Sequence, residues 1–453
     1  MHYHLAMEAA LIVQEELKNK LYKYVDLREA VETLIKGVDP VIEGIDVRTA
    51  AWHIVAEDLY SPVNRPPFNI AHVDGYALMS VDTTGASSRK PAVLRVVEGV
   101  NPKEAHKYFI KRGEAVLVET GYPIPMNADA VVRIEGVRRI NDEVFIYREL
   151  RAGEEVLKAG SDYRAGDLVA SKGTLITPAI QKTLIDLGVS SVNVYKPPKV
   201  ALITVGSEVV SEVTVDYLSK LPNSSMYLVK GILEAHGYKV VFESTIPDEP
   251  SEIASSISKA LKEAEVVITI GGLSMGPRDY TWTSVVRAFK PRELFRGVKI
   301  HPGRTTSGFT YSGRAVINLP GLPQSTLAGL LTVALPTLRY LRGLEPQVKL
   351  PYFIVKLSRD EEFRDYTGFY RLRFIEVDDI QGTARVIRGY GTYHLVPIVK
   401  SSGLIVVNPS VTLLNANTYV KAFIVPGVHK YPEGELMELN INSQAAKPRS
   451  LLL

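Results

Sequence analysis

Residues 264–281 read AEVVITIGGLSMGPRDYT. Val266 to Ile270 form an unbroken apolar or β-branched run, the pattern of a strand covered on both faces. Gly271 and Gly272 follow, and Asp279 opens the helical segment DYTWTSVVRAF. A strand needs neither the glycine pair nor the aspartate for packing. The bland reading is a turn into the next helix. The other is a loop whose backbone approaches a charged ligand, with Asp279 taking part.

The flanking sequence repeats the strand-then-helix order. KVALITVG (199–206) reads as a strand, and NSSMYLVKGILEAHG (223–237) as a helix capped by Asn223 and stopped by Gly237. YKVVFESTI (238–246) is a second strand, EPSEIASSISKALKEA (249–264) a second helix and 265–272 the third strand. Strands and helices in turn imply right-handed βαβ units, a parallel sheet and helices on both of its faces.

Ligands of such sheets bind beyond the carboxyl ends of the strands, at the topological switch point. The first strand ends in TVGSE, placing Glu208; the second in TIPDEP, placing Asp248; the third places Asp279. Helix N-capping would also use Asp248 and Asp279. Recurrence at three consecutive strand ends favours a shared site. Gathered carboxylates repel one another and suit a hard cation such as magnesium. The GGLSMG segment offers backbone N–H groups to a phosphate. HPGRTTSGF (301–309) and VINLPGLPQST (316–326) are Pro-Gly turns, and His301 and Arg304 suit an anionic substrate.

On either side the texture differs. Residues 1–24 look like an amphipathic helix. DLREAVETLIK (26–36) begins with a capping-box pattern from Asp26 to Glu29. Residues 1–58 with 152–197 read as an elongated N-terminal α+β domain. Short runs such as EAVLVETG and DAVVRIEG mark residues 59–151 as an inserted β-rich domain. The α/β domain spans 198–346, a β-barrel-like domain 347–430 and a tail 431–453. The expected fold class is therefore multi-domain α/β and β.

Composition excludes several chemistries. The 453 residues contain no cysteine, which removes disulfides, Cys-ligated zinc and thiol catalysis. Lys and Arg number 53 against 50 acids, so net charge gives no footprint for nucleic acid. The most apolar stretch, LAGLLTVALPTL, is far short of the ~20 residues a membrane span needs. The first residues lack a signal-peptide pattern, so the expectation is cytoplasmic. GxGxxG after the first strand, GxxxxGK[ST] and HExxH are all absent.

Seven pieces, in order, carry a family resemblance: RPPFNIAHVDGYA (65–77), ETGYPIP with ADAVVRIE, AGSDYRAGDLV, TVGSE, GGLSMGPRDYT, HPGRT and LPGLPQS. The chain resembles the molybdopterin molybdenumtransferases, the MoeA and gephyrin E-domain family, over about residues 25–425. The resemblance implies an elongated homodimer with four domains per subunit. It implies insertion of molybdate, or tungstate, into the dithiolene of adenylylated molybdopterin, with magnesium and release of AMP. The cleft would lie between the strand-end face of one subunit and the β-rich domain of the other. A molybdopterin adenylyltransferase would be a transient partner; neither nucleic acid nor membrane is expected.

Carried over by motif, the acidic and polar positions are Asp74, Thr120, Asp162, Glu208, Asp248 and Asp279. Of these, Glu208, Asp248 and Asp279 would hold magnesium. Asp74 would lie near the oxyanion, with Thr120 and Asp162 shaping the cleft. Gly206, Ser207, Gly271, Gly272, Ser274, Gly276, His301, Pro302, Gly303, Arg304, Pro320, Gly321 and Ser325 would contact substrate or phosphate.

The chain departs from the family pattern at Ala71-His72-Val73, Ser207, His301, Arg304-Thr305, Leu322 and Gly391-Thr392-Tyr393. Those departures leave two expectations beside full activity. One is an altered oxyanion preference. The other is a weak or inactive paralogue acting as a molybdopterin-binding scaffold. An unrelated nucleotide-dependent phosphotransferase is a third reading.

Overall fold

The computed structural model describes residues 24–210, 213, 220–272, 280–366, 368–378 and 380–429. They form two compact units, one of Ile42–Tyr195 and one of residues 24–41 with the described part of 196–429.

In the larger unit α1 (Leu27–Ile35) precedes β1 (Lys199–Val205), α2 (Ser224–Ala235), β2 (Lys239–Ile246), α3 (Pro250–Ala260), β3 (Val266–Ile270) and α4 (Tyr280–Phe289). After these come β4 (Leu294–Arg296), β5 (Ser307–Tyr311), β6 (Arg314–Leu319), α5 (Pro323–Gly329) and α6 (Leu335–Leu341). The six strands lie in the order β2-β1-β3-β6-β5-β4. The first four are parallel; β5 runs back against β6, and β4 against β5. The sheet is thus mixed, with an antiparallel edge added to the parallel strands expected from sequence.

Side-chain alternation explains why the central strands β1 and β3 are apolar or β-branched at nearly every position. Val200, Leu202, Ile268, Ile317 and Leu319 pack on one face with Val229, Ile232 and Leu233 of α2. Ala201, Ile203, Val267 and Val316 pack on the other with Ile253 and Ile257 of α3 and Trp282 and Val285 of α4. Each fully buried Leu or Ile contributes about 1.5–3 kcal/mol relative to exposure. The LAGLLTVALPTL segment is almost wholly buried, most of it in this core. It runs from α5 through a π-helical turn (Leu330–Ala334) into α6, where Pro336 lacks an N–H to continue the regular ladder. No helix among the described residues is long and apolar enough to cross a membrane.

Asp26 caps α1 by accepting from the Arg28 N–H at 3.1 Å. Ala30 and Leu34 of α1 join the α/β core. The helix expected over 26–36 therefore packs on the α/β layer, whereas the amphipathic helix expected over 1–24 lies outside the described residues apart from Tyr24. Asn223 precedes α2 but does not cap it. Its amide accepts from Thr204 Oγ1 (2.9 Å) and donates to Thr245 Oγ1 (2.8 Å), joining the ends of β1 and β2.

The last described segment closes into a barrel of β7 (Tyr352–Leu357), β8 (Tyr370–Asp378), β9 (Thr383–Val386), β10 (Gly403–Val407) and β11 (Tyr419–Phe423). Around the ring the order is β8-β9-β7-β11-β10, with β10 pairing back to β8. Ile300–His301 adds a short parallel pairing to the start of β8, at Tyr370 and Arg371.

The smaller unit holds a six-stranded sheet built from residues between 75 and 146, with its own core around Tyr76, Leu78, Val132 and Ile146. A three-stranded sheet (Ile42–Asp46, Ser191–Tyr195, Ile54–Val55) accompanies the helix Pro178–Asp186, which Thr177 caps through the Ile180 N–H.

Candidate active site

The β2-β1-β3-β6 order puts the first parallel strand inside the sheet, with its successors on opposite sides. Its carboxyl end and that of β3 form the switch point. The Gly271 N–H donates to the Leu319 carbonyl at 2.9 Å, and the Gly206 N–H to the Ile246 carbonyl at 3.0 Å, so the four strand ends are tied in two pairs, β3 with β6 and β1 with β2. Gly271 and Gly272 have φ of 85° and 69°. A Cβ on Gly271 would lie 2.6 Å from the Val205 carbonyl oxygen, and one on Gly272 would run into the Val205 side chain. The glycine pair is required because the β3 loop passes hard against the end of β1.

Asp248 lies beside that crossing: its Oδ1 is 3.3 Å from where a Gly272 Cβ would stand, and its N–H donates to Ser207 Oγ at 3.3 Å. Ser207, Glu208 and Asp248 are all exposed. The helix-capping alternative fails for Asp248, because the N-cap of α3 is Glu249 and no side chain caps it. Gly321 meets the same loops, since its own Cβ would lie 3.4 Å from Gly271 Cα. Gly206, Ser207, Glu208, Asp248, Gly271, Gly272, Pro320 and Gly321 therefore share one rim. Asp279, Ser274 and Gly276 lie outside the described residues.

Just beneath the rim are two buried polar ties. One is the Thr204–Asn223–Thr245 set; the other joins Thr269 Oγ1 to Asn318 Oδ1 (2.6 Å) and the Asn318 amide to Ser307 Oγ (3.3 Å). They fix the strand ends at one level, because each buried donor and acceptor is costly to leave unpaired.

The 301–304 turn sits against the barrel. His301 stacks on Tyr366 with ring centroids 3.7 Å apart, and Arg304 lies over the same ring at 5.6 Å. Arg373 Nη1 donates to the His301 carbonyl (3.2 Å) and lies 3.5 Å from Nδ1, while its Nη2 holds Asp365 at 2.5 Å. Burial, with Arg373 next and then Arg304, pushes the His301 imidazole down to about 4 against the opposing pull of Asp365. The ring is neutral at physiological pH, so of the two side chains only Arg304 brings a fixed positive charge. Gly303, at φ 105°, packs its backbone against Ala328 and the Ser325 carbonyl, and Ser325 is buried. Pro302 links His301 to that close approach.

In the smaller unit Asp74 and Thr120 do meet. Thr120 donates to Asp74 Oδ1 from both its N–H and its hydroxyl, each at 2.7 Å. The backbone donor, then the hydroxyl, holds the Asp74 carboxyl below its ordinary range. Gly75 is required beside it, since a Cβ there would overlap the Val132 carbonyl. Asp162 is engaged differently, in an ion pair with Arg65 (3.0 Å), which also holds Asp186 at 2.5 Å.

No group of three or more acidic or histidine side chains placed to hold a metal ion occurs among the described residues. Glu208 and Asp248 supply hard oxygen donors suited to magnesium on neighbouring loops. The third expected ligand, Asp279, is not among the described residues. Sequence reasoning missed Asp365, Tyr366 and Arg373, which come from the barrel and carry no local motif, and it gave no role to Gln324, although that residue lies inside the LPGLPQS motif.

A glycine-lined rim at the switch point of an α/β sheet, edged by carboxylates, is where sheets of this class take their ligands. Two family models match the chain: MoeA N-terminal region (domain I and II) over residues 25–188, and probable molybdopterin binding domain over residues 201–340. The chain is 29% identical over 352 residues to the molybdopterin molybdenumtransferase of Staphylococcus aureus, covering 77% of this chain and 82% of that one. The corresponding Staphylococcus epidermidis protein is 28% identical over the same length. Among solved structures, a molybdopterin biosynthesis MoeA protein from Pyrococcus horikoshii superposes with a TM-score of 0.73 at 27% identity, covering 89% of this chain and 99% of that one. The chain belongs to the molybdopterin molybdenumtransferase family.

Proposed function

We propose that this protein is the transferase that inserts molybdate, or tungstate, into adenylylated molybdopterin and releases AMP. A role in molybdenum cofactor biosynthesis follows from family membership. The observation that carries the finer reading is the convergence of Ser207, Glu208 and Asp248 with Gly271, Gly272 and Gly321 on one strand-end rim. Backbone N–H groups there suit the pyrophosphate, and Glu208 and Asp248, with Asp279, would hold magnesium, which supplies charge neutralisation for phosphate departure.

Ser274 and Gly276 complete the phosphate loop in this reading, and Arg304 offers the cationic anchor for an oxyanion. Asp74, kept ionised by Thr120, would enter from a second copy in a homodimer, with Asp162 shaping the cleft. Delivery of substrate by a molybdopterin adenylyltransferase and a cytoplasmic location belong to the same proposal. The scaffold alternative is not favoured: the curated relatives are named as transferases.

The test is incubation with adenylylated molybdopterin, magnesium and either oxyanion, reading AMP by chromatography and the particle mass by sedimentation. Oxyanion-dependent AMP release from a dimer is expected. Tight binding with no release would return the scaffold reading, and no binding would remove both.

A further inference from the structure

Gln324, the second residue of α5, is 7% exposed, and its amide spends both protons on the barrel. Nε2 donates to the Gly391 carbonyl at 3.0 Å and to the His394 carbonyl at 2.8 Å; the Gln324 backbone N–H points at the Thr392 carbonyl at 3.4 Å. The receiving turn is itself closed. The His394 N–H donates to the Gly391 carbonyl (3.1 Å), and the Gly391 N–H donates to His394 Nδ1 (3.0 Å). One amide thus reads the backbone shape of a turn nearly seventy residues away. Three residues before Gln324 stands Gly321, already packed on Gly271.

We propose that Gln324 is a positioning residue that holds the 391–394 turn as one wall of the substrate cleft. The barrel would then contribute to substrate binding. The turn carries Tyr393, 64% exposed, an aromatic face of the kind a flat heteroaromatic ring uses for stacking. The ligand assignment rests on the molybdopterin reading; the clasp does not.

Gln324→Met keeps the volume and removes both donors. In the ligand-free full chain, hydrogen exchange of peptides covering 391–395 should speed up about tenfold, the effect of losing roughly one net hydrogen bond. With substrate, KM for adenylylated molybdopterin should rise by about the same factor while kcat changes little. His394→Ala, at an exposed side chain, loosens the same turn from the barrel side and serves if the first variant does not fold. Unchanged exchange overturns the clasp. Faster exchange with unchanged KM overturns the wall. If the wild-type protein releases no AMP, the proposed reaction fails while the exchange result still decides the clasp.

Discussion

Asp74 takes two hydrogen bonds on a single carboxylate oxygen, both from Thr120 and both 2.7 Å long. Thr120→Val leaves the backbone donor and removes the hydroxyl. The Asp74 carboxyl should then titrate at higher pH than in the wild type, read by carbon-detected NMR. It should stay below the ordinary carboxylate range, because the backbone N–H is the larger cause. An unchanged titration would show that the hydroxyl bond does not form in solution.

The glycine pair at the end of β3 can be tested by adding one methyl. Gly271→Ala and Gly272→Ala each force a left-handed residue against Val205. Each should lose about 1–3 kcal/mol of stability in urea titrations, together with affinity for adenylylated molybdopterin. Wild-type stability in both would mean the loop stands clear of β1.

Glu208→Gln and Asp248→Asn remove charge from exposed positions. Thermal midpoints should move by no more than a few degrees, since surface changes fall within about ±0.5 kcal/mol. AMP release should fall at least about a hundredfold if these carboxylates carry the electrostatic work. Retained turnover in both variants would remove them from the site.

His301 gives a signed pH effect. Its imidazole is held at about 4 in the fold against an ordinary 6.5. The unfolded chain therefore binds the extra proton first as pH falls. The contribution is fully present above pH 6.5 and is lost progressively toward pH 4. His301→Asn should flatten that part of the stability profile, measured as urea midpoints between pH 7 and 4. Arg373→Met should raise the imidazole value only partway, because burial is the larger cause and Arg304 remains, while Asp365 pulls it up.

The βαβ order was legible because β1 and β3 are covered on both faces and so are apolar or β-branched along nearly their whole length. β6 departs from that property and was hidden by it: RAVINL interrupts its run with Asn318, whose amide is spent on Thr269 and Ser307. The antiparallel edge rests on a hairpin turn at Ser312-Gly313 that offers no helix-versus-strand contrast. At the site, Glu208, Asp248 and the glycines could be found because each directly follows a strand. Tyr366 and Arg373 act through contacts made only once the barrel has closed, and Gln324, though inside LPGLPQS, finds its partners Gly391 and His394 only there, so no local spacing encodes these contacts.

The parallel pairing of Ile300–His301 with Tyr370–Arg371 means that the α/β layer and the barrel share backbone hydrogen bonds as well as side chains. An excised 347–429 fragment would leave the Tyr370 N–H, which donates to the Lys299 carbonyl at 3.0 Å, without its acceptor. The 301–304 turn in the remainder would lose the strand that anchors its first residue. Gene fusions or split reporters built on this scaffold should therefore keep both parts in one polypeptide and seek their junctions elsewhere.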